Sequence, residues 1–228
     1  MPVILSLETS TDVCSVALHD SKTLLAKAEI HEPQSHAARL GPLIDEVTRK
    51  ANISLRQVRA VAVTEGPGSY TGLRIGTSTA KGLCYALDIP LIAVGSLHLL
   101  AFQGNNSNAS HALLCPMIDA RRMEVYCLVA DHTMRVIEPV SARVIDPTSF
   151  AELLERNRML FFGNGSKKCR EVITHPNAEF INDVYPMASS LGMMAQEKFS
   201  NGEFEDLINF KPFYLKEFVA KKAAGAGI

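Results

Sequence analysis

The chain lacks an excess of charge of either sign: 23 Lys and Arg stand against 24 Asp and Glu, a formal net charge of −1. A protein that grips nucleic acid by itself needs a clustered basic surface, so this balance argues against autonomous RNA or DNA binding. No apolar run approaches the ~18 residues of a membrane span. The opening residues, MPVILSLETS, have no basic leader and pass straight from an apolar stretch to polar residues, so they do not read as a secretory signal. The five cysteines (Cys14, Cys84, Cys115, Cys127 and Cys169) are odd in number, far apart and never arranged as CxxC. That argues against a disulfide framework or a zinc ribbon and for a reducing, cytoplasmic setting. Two histidines four apart on one helical face, as a helical metal pair requires, are also missing. His31 and His36 are five apart with Pro33 between them, and the position four beyond His36 is Leu40. No G-x-S-x-G nucleophile elbow occurs either.

What is there is the balance of a globular protein, 47% hydrophobic and 21% charged over 228 residues, enough for one large domain or two small ones. Residues 3–8, 13–19 and 23–30 read as three strands joined by tight polar turns, an antiparallel meander. Leu40, Leu43, Ile44, Val47 and Ala51 recur at helical spacing and predict a helix over 34–51. The run 58–64 is nearly all apolar, as a strand buried on both faces should be; a helix over 71–87 and another buried strand at 90–94 follow. Gly104-Asn105-Asn106-Ser107-Asn108 is the one turn-rich polar stretch and marks a domain boundary. Beyond it, strands, a helix over 147–156 and the buried run 159–162 repeat the first half in shorter form. The expected architecture is two related α/β lobes around a cleft, 1–104 and 105–228, with a frayed Ala- and Gly-rich end.

The stretch Thr64-Glu65-Gly66-Pro67-Gly68-Ser69-Tyr70-Thr71-Gly72-Leu73-Arg74-Ile75-Gly76 joins a buried strand to a helix, where open α/β sheets build ligand crevices. Gly66 and Gly68 bring backbone N–H groups within reach of an anion, and Ser69 or Thr71 can cap the helix. It is neither GxxxxGK[ST] nor GxGxxG, and it reads equally as a tight strand–helix turn or as an anion cradle. Gly72, Gly76 and Ala80 recur every fourth residue, and a glycine within a helix costs ~1 kcal/mol against alanine. A close contact must compensate, either inside the chain or with a partner protein, and Ala37 and Gly41 add a second small-residue patch. Glu8-Thr9-Ser10-Thr11 is either a polar β-turn or a phosphate- and magnesium-holding turn. Asp119, backed by Arg121 and Arg122, is either a base or half of a turn salt bridge.

Taken together, several segments resemble the TsaB family, also called YeaZ. They are ILSLETSTDVCSVAL, SHAARLGPLIDEV, MIDARRMEVYCLV, FFGNG, KPFYLK and, most specifically, VAVTEGPGSYTGLRIGTSTAKGLCYALDIPLIAVGSL. The resemblance covers nearly the whole chain and implies the fold of the actin, sugar-kinase and heat-shock-protein superfamily (ribonuclease H-like). It implies a non-catalytic subunit, pairing with TsaD and joined by the ATPase TsaE, in making threonylcarbamoyladenosine beside the anticodon of tRNA. tRNA is then met only through the complex, and the chain alone forms a homodimer. No metal and no nucleotide is expected on this chain by itself, with ATP or ADP at a site shared with the partner. The nucleotide or anion candidates are Thr9, Ser10, Gly66, Gly68, Ser69, Gly72, Gly163 and Gly165.

The resemblance also places the pairing interface on the first two long helices, at His36, Leu40, Leu43, Ile44, Val47, Gly72, Ile75, Gly76, Thr79 and Leu83. It leads to the expectation that a bulky residue at Gly76 blocks pairing while the monomer stays folded. Two alternatives stay open. One is an ATP-dependent small-molecule kinase or transferase of the same fold with Glu8 or Asp119 as base; the other is a metal-dependent peptidase.

Overall fold

The structure is a computed structural model that describes residues 2–216; the tail 217–228, with its Ala- and Gly-rich end and Lys221 and Lys222, lies outside the described residues. β1 (Val3–Glu8), β2 (Cys14–Asp20) and β3 (Thr23–Ile30) form the antiparallel meander. α1 (His36–Ala51) leads to β4 (Val58–Gly66), which pairs parallel with β1. α2 (Tyr70–Leu87) leads to β5 (Leu91–Gly95), parallel to β4, and the sheet order is β3-β2-β1-β4-β5. Both long helices stop where the chain turns left-handed, at Asn52 and Asp88 (φ 53° each), two residue types that tolerate that geometry.

The second half repeats the first. α3 (Ser96–Asn105) leads into β6 (Leu113–Asp119), β7 (Glu124–Ala130) and β8 (Val136–Val144). α4 (Ala151–Arg156), β9 (Met159–Phe162) and β10 (Ala178–Phe180) follow. From its meander edge, the second sheet runs β8-β7-β6-β9-β10, the same connectivity as the first. Its reduction is specific: a 3-10 turn at Lys167–Cys169 stands where α2 stands in the first lobe.

α5 (Ala188–Asn201) closes the fold and is an element the sequence expectation did not include, although Ala188, Leu191, Gly192 and Ala195 bury one helical face. Residues 105–228, expected as one lobe, therefore divide. α5 packs on the first sheet, where Leu191 and Ala195 join Ile4, Ala60, Ala62, Ile92 and Val94. α3 in turn sends Leu97, Leu100 and Ala101 to Leu114, Ile118 and Phe162 of the second sheet. The physical reason is coverage. The nearly all-apolar β1 and β4 are buried on both faces; α1 and α2 cover one, and α5 supplies most of the other.

Candidate functional site

The cleft lies between the ends of β1 and β4 in one lobe and of β6 and β9 in the other. β1 runs into Glu8-Thr9-Ser10-Thr11, all buried. Glu8 is sealed completely, its Oε1 accepting from the Ser10 N–H at 2.6 Å and the Ser10 hydroxyl at 2.5 Å, while Oε2 has no partner. Burial pushes its carboxyl up to about 7, against the opposing influence of the Ser10 and Thr64 hydroxyls.

Thr9 and Ser10 also seat α2. The Ser69 N–H donates to Ser10 O at 2.7 Å, and Thr9 Oγ1 donates to Gly72 O at 2.9 Å. A Cβ on Gly68 would overlap Ser10 O, one on Gly72 would overlap Thr9 O, and one on Gly76 would overlap the Thr9 hydroxyl. The glycine stripe is thus spent on contact within the chain. Ser69 caps the helix, its Oγ accepting from Gly72 N–H at 3.2 Å.

Opposite, Gly163 (φ 98°), Asn164 and Gly165 brace the end of β6: Gly165 N–H donates to Met117 O at 3.0 Å, and Asn164 Oδ1 accepts from Asp119 N–H at 3.0 Å. The Asp119 carboxylate is occupied by Lys168 Nζ and by Arg121 N–H at 3.0 Å. Between the lobes is a cleft of ≈ 470 Å³ lined by Ser10, Gly68, Ser69 and Tyr70 on one side and by Arg121 and Asn164 on the other. Thr9, Ser10, Gly68, Ser69 and Gly72 therefore do come together as a packed joint whose Ser10, Gly68 and Ser69 also line the cleft, whereas Gly66 meets Leu73 and the Phe213 carbonyl. Gly163 and Gly165 stand on the other lobe, and only their neighbour Asn164 reaches the cleft. Of the two candidate bases, Glu8 does not line the cleft, while Asp119 does, half-exposed and with its carboxylate paired to Lys168. Among the described residues, no three His, Cys, Asp or Glu side chains converge to hold a metal ion.

The interface expectation needs correction. Leu40, Leu43, Ile44 and Val47 are buried in the chain's own core against the first sheet, and Gly72 and Gly76 face Thr9. These six are taken up mainly by packing within the chain, although Gly72 also borders a hollow at the helix N-termini, and a bulky residue at Gly76 would unseat Thr9 in the monomer. Ile75, Thr79 and Leu83 are half-buried. The outward surface lies between the core positions and includes Ala37, Ala38 and Gly41 beside Arg39, Pro42 and Asp45 on α1, and Gly82, Tyr85 and Ala86 beside Arg74 and Ser78 on α2. Tyr85 is 84% exposed. Tyr85 and Gly82 were absent from the expected set, although an aromatic residue off the apolar stripe was a readable signal. A second hollow of ≈ 460 Å³ opens where the N-termini of α1 and α2 meet, lined by Asp12, His36, Ala37, Thr71, Gly72 and Ile75. No described helix is long and apolar enough to cross a membrane.

Two lobes of one connectivity, crossing their last helices around a cleft, define the actin, sugar-kinase and heat-shock-protein class of folds. Residues 24–224 match the family model described as "TsaD: tRNA N6-adenosine threonylcarbamoyltransferase". The chain is 30% identical over 221 residues to the tRNA threonylcarbamoyladenosine biosynthesis protein TsaB of Bacillus subtilis, covering 93% of each. It is 29% identical to the TsaB of Haemophilus influenzae, covering 96% of this chain and 95% of that one. The solved structure of YeaZ from Pseudomonas aeruginosa superposes with a TM-score of 0.78 at 29% identity, over 94% of this chain and 100% of that one. The chain belongs to the TsaB (YeaZ) family, whose named role is in tRNA threonylcarbamoyladenosine biosynthesis.

Proposed function

We propose that the chain is a non-catalytic scaffold and activator that pairs with TsaD, with TsaE joining the pair, for threonylcarbamoyl transfer to the adenosine beside the anticodon of tRNA. The observation that carries this is the small-residue surface on the outer sides of α1 and α2. Gly41 and Gly82 have open space where a side chain would project, with exposed Ala37, Ala38 and Ala86 and the protruding Tyr85 on the same two helices. A chain that turns its large apolar residues inward yet keeps glycine and alanine outside leaves room for another backbone to approach closely. The hollow at the two helix N-termini shares Ala37 with this surface, and it is where we place an ATP or ADP held jointly with the partner. A non-catalytic role is supported by the sealed Glu8, the engaged Asp119 and a glycine loop packed onto Thr9 and Ser10.

Reconstitution tests it. TsaD, TsaE, ATP, threonylcarbamoyl-adenylate and tRNA should give full modification with this chain and little without it. Undiminished modification in its absence would sink the proposal. Turnover of ATP by the purified chain alone would favour the kinase alternative instead.

A further inference from the structure

Residues 205–216 run along the first lobe and then cross the mouth of the cleft. The run is pinned at several points. Glu205 N–H donates to Leu91 O at 2.9 Å, extending the edge of the first sheet. Lys81 Nζ, from α2, donates to Ile208 O at 3.0 Å and Phe210 O at 2.9 Å. Phe213 N–H donates to Glu65 O at 2.7 Å, and the Phe213 carbonyl lies where a side chain on Gly66 would project. The Tyr214 ring rests 4.9 Å from that of Tyr70, and Lys216 Nζ then pairs with the Glu124 carboxylate on the second lobe.

Away from the cleft, the lobes are joined by a different set of contacts. α3 packs on both sheets, and Gly104 lies against the Phe162 ring where any side chain would overlap it. Gln103 holds the returning chain at both of its amide atoms, donating to Tyr185 O and accepting from Met187 N–H, each at 2.8 Å. Ala188 N–H donates to Ser15 Oγ at 2.9 Å. The molecule therefore has a joint made of α3 and residues 181–188, and a separate tie across the cleft mouth.

We propose that residues 205–216 are a clasp that sets the opening of the interlobe cleft, with α3 and residues 181–188 as the hinge it works against. The two anchors differ in kind. On the first lobe the clasp is held by backbone hydrogen bonds and by Leu207 and Phe210 against the core. On the second lobe, among the described residues, it is held by an ion pair whose lysine side chain is 44% exposed, a contact of small strength that salt screens. The clasp releases from the second lobe first, and the cleft widens about the hinge. The device stands whether or not the chain pairs as proposed above.

The test uses the full chain. All five native cysteines are buried, so nitroxide labels can be placed selectively at Ser78→Cys on the first lobe and Arg122→Cys on the second, both exposed positions. Pulsed electron-electron resonance then reads the interlobe distance. Lys216→Glu should lengthen and broaden the distribution, and the swap Glu124→Lys with Lys216→Glu should restore it. Phe213→Pro, which deletes the hydrogen bond to Glu65 O without altering charge, should also widen it. Amide protection of α5, measured by hydrogen exchange, should stay unchanged in each. A distribution that is unmoved in both Lys216→Glu and Phe213→Pro overturns the clasp, as does a swap that fails to restore it.

Discussion

Glu8 gives the sharpest quantitative prediction. Its carboxyl is fully buried and is pushed from 4.5 up to about 7, desolvation being the largest cause. A tenfold weaker acid corresponds to ~1.4 kcal/mol, so holding the charged form inside the fold costs about 3 kcal/mol. The sign follows from proton linkage: between pH 4.5 and 7 the native chain binds this proton and the unfolded chain does not. Stability from this group is present in full below pH 4.5, falls as pH rises through about 7, and stays low above it. Glu8→Gln removes the titration with nearly the same shape. The Gln carbonyl can accept from Ser10, and its amide can take the place of the unpartnered Oε2 beside Thr64. Urea unfolding of both proteins should give similar stabilities at about pH 4.5, with the variant ahead by up to about 3 kcal/mol at about pH 8.5. For a chain of this size that is a Tm difference of roughly 6–12 °C. Titrating groups common to both proteins, such as the buried His19 whose protonation is disfavoured, cancel in the difference. A stability difference that is the same at both pH values would refute the reasoning.

Substitutions at Gly76 and at Gly82 separate the inner and outer sides of α2. Gly76→Ala should cost about 2–4 kcal/mol in thermal unfolding, because its methyl group would overlap the Thr9 hydroxyl, and Gly76→Leu should leave little folded protein. Gly82→Arg should keep the wild-type Tm within a degree or two, since its Cβ meets open space, yet weaken co-purification with TsaD at least tenfold. Retained pairing in Gly82→Arg together with Tyr85→Glu would move the interface elsewhere.

Much of the fold was readable along the chain. The largely apolar runs at β1, β4, β5 and β9 signal strands covered on both faces, and the 3.6-residue spacing of Leu40, Leu43, Ile44 and Val47 gives α1. The repeated order of strands, helix and buried strand also gave the two-lobe architecture. The site was half legible: Thr9, Ser10, Gly66, Gly68, Ser69 and Gly72 stand out together as candidates, and all but Gly66 do meet. What they do on meeting was not legible, because one contact, Thr9 with Gly72, spans 63 residues. Nor was α5, whose buried face is made largely of alanine and glycine beside a single leucine, and with it the return of the chain to the first lobe.

By itself, then, the sequence determined which residues share a strand or helix face, where the chain turns, and the family to which it belongs. Periodicity and turn chemistry are local, and a spacing of four residues is enough to define a stripe. Only the tertiary structure decided what each stripe faces. Gly72 and Gly76 could have met a partner's helix or the chain's own β1 turn, and the three-dimensional path of Thr9 makes it the turn. Likewise, the near-neutral net charge is fixed by composition, but the proton on Glu8 depends on how completely distant segments exclude water from it. Spacing sets a face; burial and long-range contact, which spacing does not encode, set its use.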